Sequence, residues 1–373
     1  MRQEDERFIS RSFELAKMAV GVTFPNPLVG ALVVLDGEIV GEGYHRGVGS
    51  PHAEAEAIRR AGDRTKNATL YLNLEPCCHF GRTPPCTEAI VESGIERVVF
   101  SILDPDKRVK GKGARYLEAR GVEVDTGVLA REALELNLPY IHRSITGEPF
   151  VVLKLASTLD GRLTAGARRY LTGEEALRRV HYLRAWAEAI AVGIGTLEAD
   201  DPILDRRFYR EGLPPPTRMV FDSNLRFPPT HRWLSEDGRV IVYCRRGTQQ
   251  EKITRLELAG AEVTQLPQAE MGVDLSAWRE DVKERGITSV IVEGGGGIST
   301  SILIGNIHHR LVIFYAPLVS GKNGVDWFQG AEEPEWTEGG RYFPVSTEMI
   351  GRDLMVVYDS ESVIGYLEQV SLE

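Results

Sequence analysis

Thr69-Leu70-Tyr71-Leu72-Asn73-Leu74, followed by Glu75-Pro76-Cys77-Cys78-His79-Phe80-Gly81-Arg82-Thr83-Pro84-Pro85-Cys86, is the stretch on which the reading of this chain turns. Residues 69–74 have the apolar composition of a buried strand, and residues 87–93 carry a helical pattern. Between them fall three of the four cysteines of a 373-residue chain. Four cysteines are too few for a disulfide scaffold, so their clustering points to a metal or to catalysis.

Working outward, residues 7–20 hold apolar positions at helical spacing (Phe13, Ala16, Val20). Strand candidates at 29–35 and 38–43 flank Asp36-Gly37, a dipeptide suited to a two-residue hairpin turn. Helix-like 53–61 and 114–119 then alternate with strand-like 69–74, 97–103 and 122–124, the signature of an α/β layer with some parallel strands. A helix over 129–137 closes this unit. Thr146-Gly147-Glu148-Pro149 reads as a linker, which divides the chain into 1–146 and 147–373. In the second part, strands are expected at 150–155, 190–194, 219–221, 240–244, 290–292 and 311–315. Helices are expected at 278–285 and 299–303, and Thr172-Gly173-Glu174-Glu175 fits a capping box before a helix over 176–186.

Composition bounds the function. A chain of this length has room for two or three domains at ~150 residues each. With 44 Lys+Arg against 54 Asp+Glu the net charge is −10, so no global positive field draws it to nucleic acid or to an anionic membrane. A phosphorylated ligand must be met by a local basic cluster. The charged start, Met1-Arg2-Gln3-Glu4-Asp5-Glu6-Arg7, leads into no apolar run long enough for a signal peptide or a membrane span, and a soluble cytoplasmic protein is expected.

The residue types around the cysteines specify a chemistry. His52-Ala53-Glu54 and Pro76-Cys77 fit the zinc deaminase signature, in which one His and two thiolates hold zinc and a non-ligating Glu carries protons. Three protein ligands leave a fourth tetrahedral position for water, whose pKa the metal lowers toward neutrality. Glu54, two residues from His52, would move the protons. Cys86 supplies the second thiolate across the insertion 78–85, opening a helix whose positive end favours the anion. Cys78 and His79 compete by type. A structural zinc knuckle, or buried cysteines without metal, is the alternative reading, and it leaves Glu54 without a purpose.

These motifs, together with Pro25-Asn26-Pro27-Leu28-Val29-Gly30 and Gly41-Glu42-Gly43-Tyr44-His45, resemble the deaminase half of the bifunctional riboflavin biosynthesis deaminase/reductase family. The resemblance continues through Lys154-Leu155-Ala156-Ser157-Thr158-Leu159-Asp160-Gly161-Arg162, Val192-Gly193-Ile194-Gly195-Thr196, Ala199-Asp200-Asp201-Pro202 and Val292-Glu293-Gly294-Gly295, covering nearly the whole chain. It implies an α/β chain with an N-terminal cytidine-deaminase-like three-layer domain and a dihydrofolate-reductase-like domain after it. The implied reactions are zinc-dependent hydrolytic deamination of 2,5-diamino-6-ribosylamino-4(3H)-pyrimidinone 5′-phosphate, then reduction of its ribosyl to a ribityl chain with NADPH. A homo-oligomer, dimer or tetramer, is expected from the same source, with no nucleic acid or membrane partner.

Carried over by position, the resemblance places Asn26, His45, Arg82 and Asp104 around the first substrate, with the basic stretch 107–112 near its phosphate. It places Arg184, Leu204, Arg207 and Glu293 around the second. Ala156, Tyr170, Thr196, Asp200, Ser223 and the run Gly295, Gly296, Gly297, Ile298, Ser299, Thr300 and Ser301 would line the NADPH site. The chain departs from the family pattern at Glu56, Cys78 and Asp106-Lys107, and in a shortened loop over 164–170. Glu293-Gly294-Gly295-Gly296-Gly297 after an apolar strand suits backbone approach to a pyrophosphate, but it is not Gly-x-Gly-x-x-Gly, and dinucleotide binding rests on the resemblance. Two other readings are a deaminase with an inactive reductase-like domain and a zinc-stabilised nucleotide- or RNA-interacting module.

Overall fold

The computed structural model describes residues 3–80, 84–164, 170–329 and 342–370. The chain forms two compact units: residues up to Gly147 together with those from Gly365 onward, and Glu148–Ile364 between them.

The first unit runs α1 (Gln3–Lys17), β1 (Gly30–Leu35), β2 (Glu38–Tyr44), α2 (Ala53–Ala61), β3 (Thr69–Leu74), α3 (Cys86–Glu92), β4 (Arg97–Ile102), α4 (Lys112–Glu118), β5 (Glu123–Thr126) and α5 (Ala130–Thr146). Its sheet has the order β2-β1-β3-β4-β5. The hairpin forms as expected, with Asp36 and Gly37 both at positive φ (51° and 78°), the twist that a two-residue turn demands. β3, β4 and β5 are parallel, so their C-terminal ends share one edge. Alternation along β1 sends Ala31 and Val33 into a core with Ala53, Ala57, Leu70, Leu72 and Phe100. Leu32 and Val34 are buried as well and, by the period of two, point to the opposite face, where α1 packs on β1 and β3. The result is three layers. α2 lies close on β2 because Gly41 and Gly43 leave room: a Cβ there would stand 2.2 Å from the Ala57 carbonyl and 2.3 Å from that of Ala53.

The helix expected to end near residue 137 continues to Thr146. Asn137 takes a non-helical conformation (φ −112°, ψ 16°) just before Pro139, so the ring is accommodated by a kink.

The second unit contains β6 (Phe150–Thr158), α6 (Glu174–Trp186), β7 (Ala189–Gly193), α7 (Ile194–Asp200), β8 (Thr217–Phe221), β9 (Val240–Arg245), α8 (Gln250–Leu258), β10 (Glu262–Leu266), the short β11 (Gln268–Ala269) and β12 (Gly272–Val273), α9 (Leu275–Glu284), β13 (Ser289–Glu293), α10 (Gly296–Ile304), β14 (Arg310–Ala316), β15 (Tyr342–Ile350) and β16 (Asp353–Ser360). The nine-stranded sheet has the order β10-β9-β8-β7-β13-β6-β14-β16-β15. Only the last two strands are antiparallel to their neighbours. The central strands are buried along their length, β13 at every position, as helices on both faces require. β13 inserts between β6 and β7, and the C-terminal ends of these three strands open the cleft described below.

Two sequence expectations change here. The capping box does not form: Gly173 is the N-cap of α6, without a side-chain cap, and its N–H donates to Asp353 at 2.6 Å. A carboxylate distant in sequence thus replaces the local one. The C-terminal residues, grouped by sequence with the second unit, belong in part to the first: α11 (Tyr366–Gln369) packs on α5. Among the described residues, no helix is long and apolar enough to cross a membrane.

Candidate active sites

Because β3 and β4 are parallel neighbours, Cys77 and Asp104 emerge at the same edge of the first sheet. α2 and α3 begin at that edge too, His52 being the extended residue before α2 and Cys86 the first residue of α3. His52 Nδ1 lies 3.2 Å from Cys86 Sγ and 3.5 Å from Cys77 Sγ. The Cys86 N–H points at Cys77 Sγ, 3.3 Å away. All three donor atoms fall within 4.8 Å of one another, and they form the single such cluster among the described residues. Donors around one tetrahedral zinc, with Zn–S and Zn–N near 2.3 and 2.0 Å, stand roughly 3.3–3.8 Å apart, so the set fits the ion. Cys78 turns away to the Arg108 carbonyl (3.8 Å), and His79 is outside the cluster.

Electrostatics at the cluster follow from two thiols beside one imidazole. The Cys86 thiol donates to Cys77 and, with help from the His52 ring, holds Cys77 down to about 4. Cys86 rises well above its ordinary value from the same contact and from burial. Hydrogen bonding to Cys77 lifts His52 to about 9. Glu54 is 4% exposed, and burial pushes its carboxyl up.

Asn26 and His45 also reach this edge. Asn26 Nδ2 lies 3.0 Å from His45 Nε2, and His45 Nδ1 lies 3.3 Å from the Pro51 carbonyl. A neutral ring protonated at Nδ1 satisfies both contacts, in line with the burial that lowers its pKa. The His45 and His52 rings meet edge to face at 5.8 Å. Asp104 is buried, accepts from Tyr140 Oη at 2.8 Å and from the Asp106 N–H at 2.9 Å, and rises to about 7 through desolvation. In the basic stretch, Arg108 pairs with Asp106 at 2.5 Å and Lys112 donates to the Lys107 carbonyl.

In the second unit, a cavity of about 570 Å³ opens at the C-terminal ends of β6, β7 and β13, where an open parallel sheet places its ligands. Its floor is charged. Arg184 grips Glu293 with both arms (2.6 and 3.0 Å), and Lys154 Nζ stands 3.5 Å from Glu293 Oε2. Burial raises Glu293, yet Arg184 and Lys154 outweigh it and hold the carboxyl at about 2. One wall is the turn Gly294–Gly295 and the start of α10, where the Gly295 N–H donates to Thr196 Oγ1 at 3.0 Å. An adjoining cavity of about 200 Å³ reaches Ser223, Gly297, Ile298 and Ser301.

Comparison with known proteins decides the family. Residues 149–356 match the RibD C-terminal domain, and residues 2–102 match the cytidine and deoxycytidylate deaminase zinc-binding region. The riboflavin biosynthesis protein RibD of Aquifex aeolicus is 41% identical, over 86% of this chain and 89% of its own. The solved RibD of Acinetobacter baumannii superposes with a TM-score of 0.81 at 32% identity, covering 96% of this chain and 99% of its own. A Thermotoga maritima diaminohydroxyphosphoribosylaminopyrimidine deaminase/5-amino-6-(5-phosphoribosylamino)uracil reductase gives 0.81 at 33%, covering 95% and 98%.

The chain belongs to the RibD family.

It is a bifunctional deaminase/reductase of riboflavin biosynthesis, with a cytidine-deaminase-like first unit and a dihydrofolate-reductase-like RibD C-terminal domain. In the RibD reductase domain, Ala156, Tyr170, Arg184, Thr196, Asp200, Leu204, Arg207, Glu293, Gly295, Gly296, Gly297 and Ile298 line the larger cavity. Ser299 and Thr300 do not: both are fully buried, and Thr300 Oγ1 is spent on the Gly296 carbonyl and the Gln329 N–H. Helical period explains this, since Gly297, Ile298 and Ser301 face the cavity and 299 and 300 face the core. Arg184 is paired with Glu293 and Arg207 with Asp205 at 2.6 Å, so neither stands as an isolated phosphate-binding cation. Sequence reasoning missed Lys154 as a site residue, although a lysine inside an apolar strand was a visible signal. Arg82, and residues 165–169 of the shortened loop, lie outside the described residues.

Proposed function

We propose that the first unit deaminates 2,5-diamino-6-ribosylamino-4(3H)-pyrimidinone 5′-phosphate, the substrate class named for the Thermotoga maritima relative, and that the second reduces the product's ribosyl to a ribityl chain with NADPH. The observation that carries the reading is the convergence of His52, Cys77 and Cys86 beside a buried, non-ligating Glu54. When bound, zinc supplies the Lewis acid that makes water nucleophilic near neutral pH. Glu54 takes a proton from the attacking water and delivers protons to the ring nitrogen and to the departing ammonia. Its burial beside the cluster, two residues from His52, places one carboxyl to make both transfers. Asn26 and His45 hold the pyrimidine's polar edge, Asp104 accepts from one of its amino or hydroxyl donors, and Arg82 meets the phosphate.

In the second unit, the N–H groups at the start of α10 receive the cofactor's phosphates, with Thr196 fixing the Gly295 backbone. NADPH, when bound, supplies the hydride. Lys154 and Glu293 offer a donor and an acceptor to the sugar hydroxyls from the cleft floor. Assembly as a dimer or tetramer and a cytoplasmic place of action complete the proposal. The test supplies the diamino substrate to purified protein, first without NADPH, following ammonia release, and then with it, following absorbance. Ammonia release before any NADPH oxidation is expected, and NADPH oxidation on undeaminated substrate would overturn the order.

A further inference from the structure

We propose that the C-terminal segment, residues 366–370, is a positioning element of the deaminase site, holding the Leu103–Asp104 turn and through it the Asp104 carboxyl. The inference rests on the reading of Asp104 as a substrate contact given above. Four observations converge on it.

The first is at the strand end. β5 finishes pairing with β4 at Phe100, so the N–H of Leu103, past the end of β4, has no sheet neighbour on that side. It donates instead to the carbonyl of Val370 at 2.7 Å. A buried N–H must find an acceptor, and Leu103 is 5% exposed; the chain's own end provides one. Secondly, Tyr366 and Val370 are buried at 3% and 0%, which is full docking rather than a loose tail.

Thirdly, the Tyr366 hydroxyl lies 2.6 Å from His142 Nδ1 on α5. Two residues earlier the same helix presents Tyr140, whose hydroxyl donates to Asp104 Oδ1 at 2.8 Å. Fourthly, the kink residue Asn137 grips Leu28 at both its N–H (2.8 Å) and its carbonyl (2.9 Å), two residues from Asn26. The second half of α5 is therefore fastened to the Asn26 segment at one end and to the C-terminal segment at the other, with Asp104 held between. On its remaining side Asp104 is tied by its own N–H to Glu75 Oε2 at 3.2 Å. Glu75 stands two residues before Cys77, and its carboxylate also accepts from the N–H groups of Gly111, Gly113 and Ala114. The metal-ligand side of this frame thus closes without the C-terminal segment, whereas on the Asp104 side the segment holds the Leu103 N–H.

The role is one of substrate positioning, so it predicts a split between kinetic parameters. The variant ending at Gly365 and the point variant Tyr366→Phe are compared with the full chain for deamination, for zinc content and for NADPH oxidation on deaminated substrate. In the truncated enzyme the deaminase KM should rise by about 10-fold, the loss expected for one hydrogen bond to a polar group that contacts ligand. Its zinc content and NADPH oxidation should match the full chain. Tyr366→Phe should move KM in the same direction by a smaller factor, and a synthetic peptide of residues 365–373 should restore the truncated enzyme. An unchanged KM in the truncation overturns the inference. So does a loss that appears in zinc content and NADPH oxidation alike and that the peptide does not reverse, because the segment would then merely support the fold. A full chain that releases no ammonia removes the underlying reading of the first unit; an active full chain with an unaffected truncation removes only the inference.

Discussion

Asp104 and Glu293 occupy corresponding places, each at the C-terminal end of a parallel strand, and both are nearly buried at 7% and 9% exposure. Their surroundings drive them apart. Around Asp104 burial dominates, the neutral donors Asp106 N–H and Tyr140 offset part of it, and the carboxylates of Asp106 and Glu75 add to the rise, to about 7. Around Glu293 the charges of Arg184 and Lys154 overcome burial and bring it to about 2. The reductase cleft thus carries its charges already paired, a rigid floor for a sugar and a cofactor to settle on. The first unit keeps in Asp104 a carboxyl poised between its protonation states, able to accept or to donate a hydrogen bond.

The comparison breaks first at Arg184. Removing one partner of a buried ion pair is destabilising, and with Lys154 still beside Glu293 Arg184→Ala should cost the second unit about 3 kcal/mol, the lower end for breaking such a pair. Since all five tryptophans, Trp186, Trp233, Trp278, Trp327 and Trp336, belong to the second part of the chain, tryptophan fluorescence during denaturant unfolding reads that unit alone. Deamination should persist at native conditions. A loss below 1 kcal/mol on that signal would show that the Arg184–Glu293 pair is not the anchor of the cleft floor.

Next comes Glu54, where chemistry and not stability is at stake. Glu54→Gln should retain zinc and lower deamination by at least ~10²-fold, the lower end for a general acid/base, with NADPH oxidation on deaminated substrate unchanged. Cys86→Ala should instead lose the metal, measured as zinc per chain. A Gln variant with near-normal turnover would remove Glu54 from proton transfer.

The two regions also differ in how much of them could be read from the chain. The zinc cluster was legible because its chemistry sits in residue types at short spacing: His52, Glu54, Cys77 and Cys86 open or close elements whose own periodicity is plain. The Asp36-Gly37 hairpin was legible for the same local reason. The reductase cleft is made of strand ends and backbone N–H groups, which any apolar strand followed by glycines could supply, and so its sequence signal was weak. Lys154 shows an oddity of type, but its meaning lies in Glu293, brought alongside by the pairing of β6 with β13. Thr172 carries a valid capping signal that Asp353 displaces. β15 was missed because nearly every residue in it is exposed, which erases the alternation that marks a strand. Tyr366 and Val370 give no local sign that they return to the first unit.

The smallest effect sharpens the comparison at Asp104 itself. A carboxyl with a folded-state pKa near 7, against an unfolded value near 4, binds its proton more tightly when folded. The stability it contributes is fully present below about pH 4 and is lost as pH rises toward 7, by about 1.4 kcal/mol per pH unit within that window. Above pH 7 the loss is complete and the dependence flattens. Other groups titrate over the same range, so the informative quantity is the difference between the wild type and Asp104→Asn, in which the neutral amide stands for the protonated acid and the remaining titrations cancel. Hydrogen exchange of β4 amides reads the first unit without the second. Between pH 5 and pH 7 the wild type should lose stability relative to Asp104→Asn. Glu293, shifted the opposite way, should give a contribution that is present above about pH 4.5 and is lost as pH falls toward 2. A difference at Asp104 that stays flat from pH 5 to 8, or that grows in favour of the wild type as pH rises, would mean its carboxyl is held ionised after all, and the contrast between the two sites would disappear.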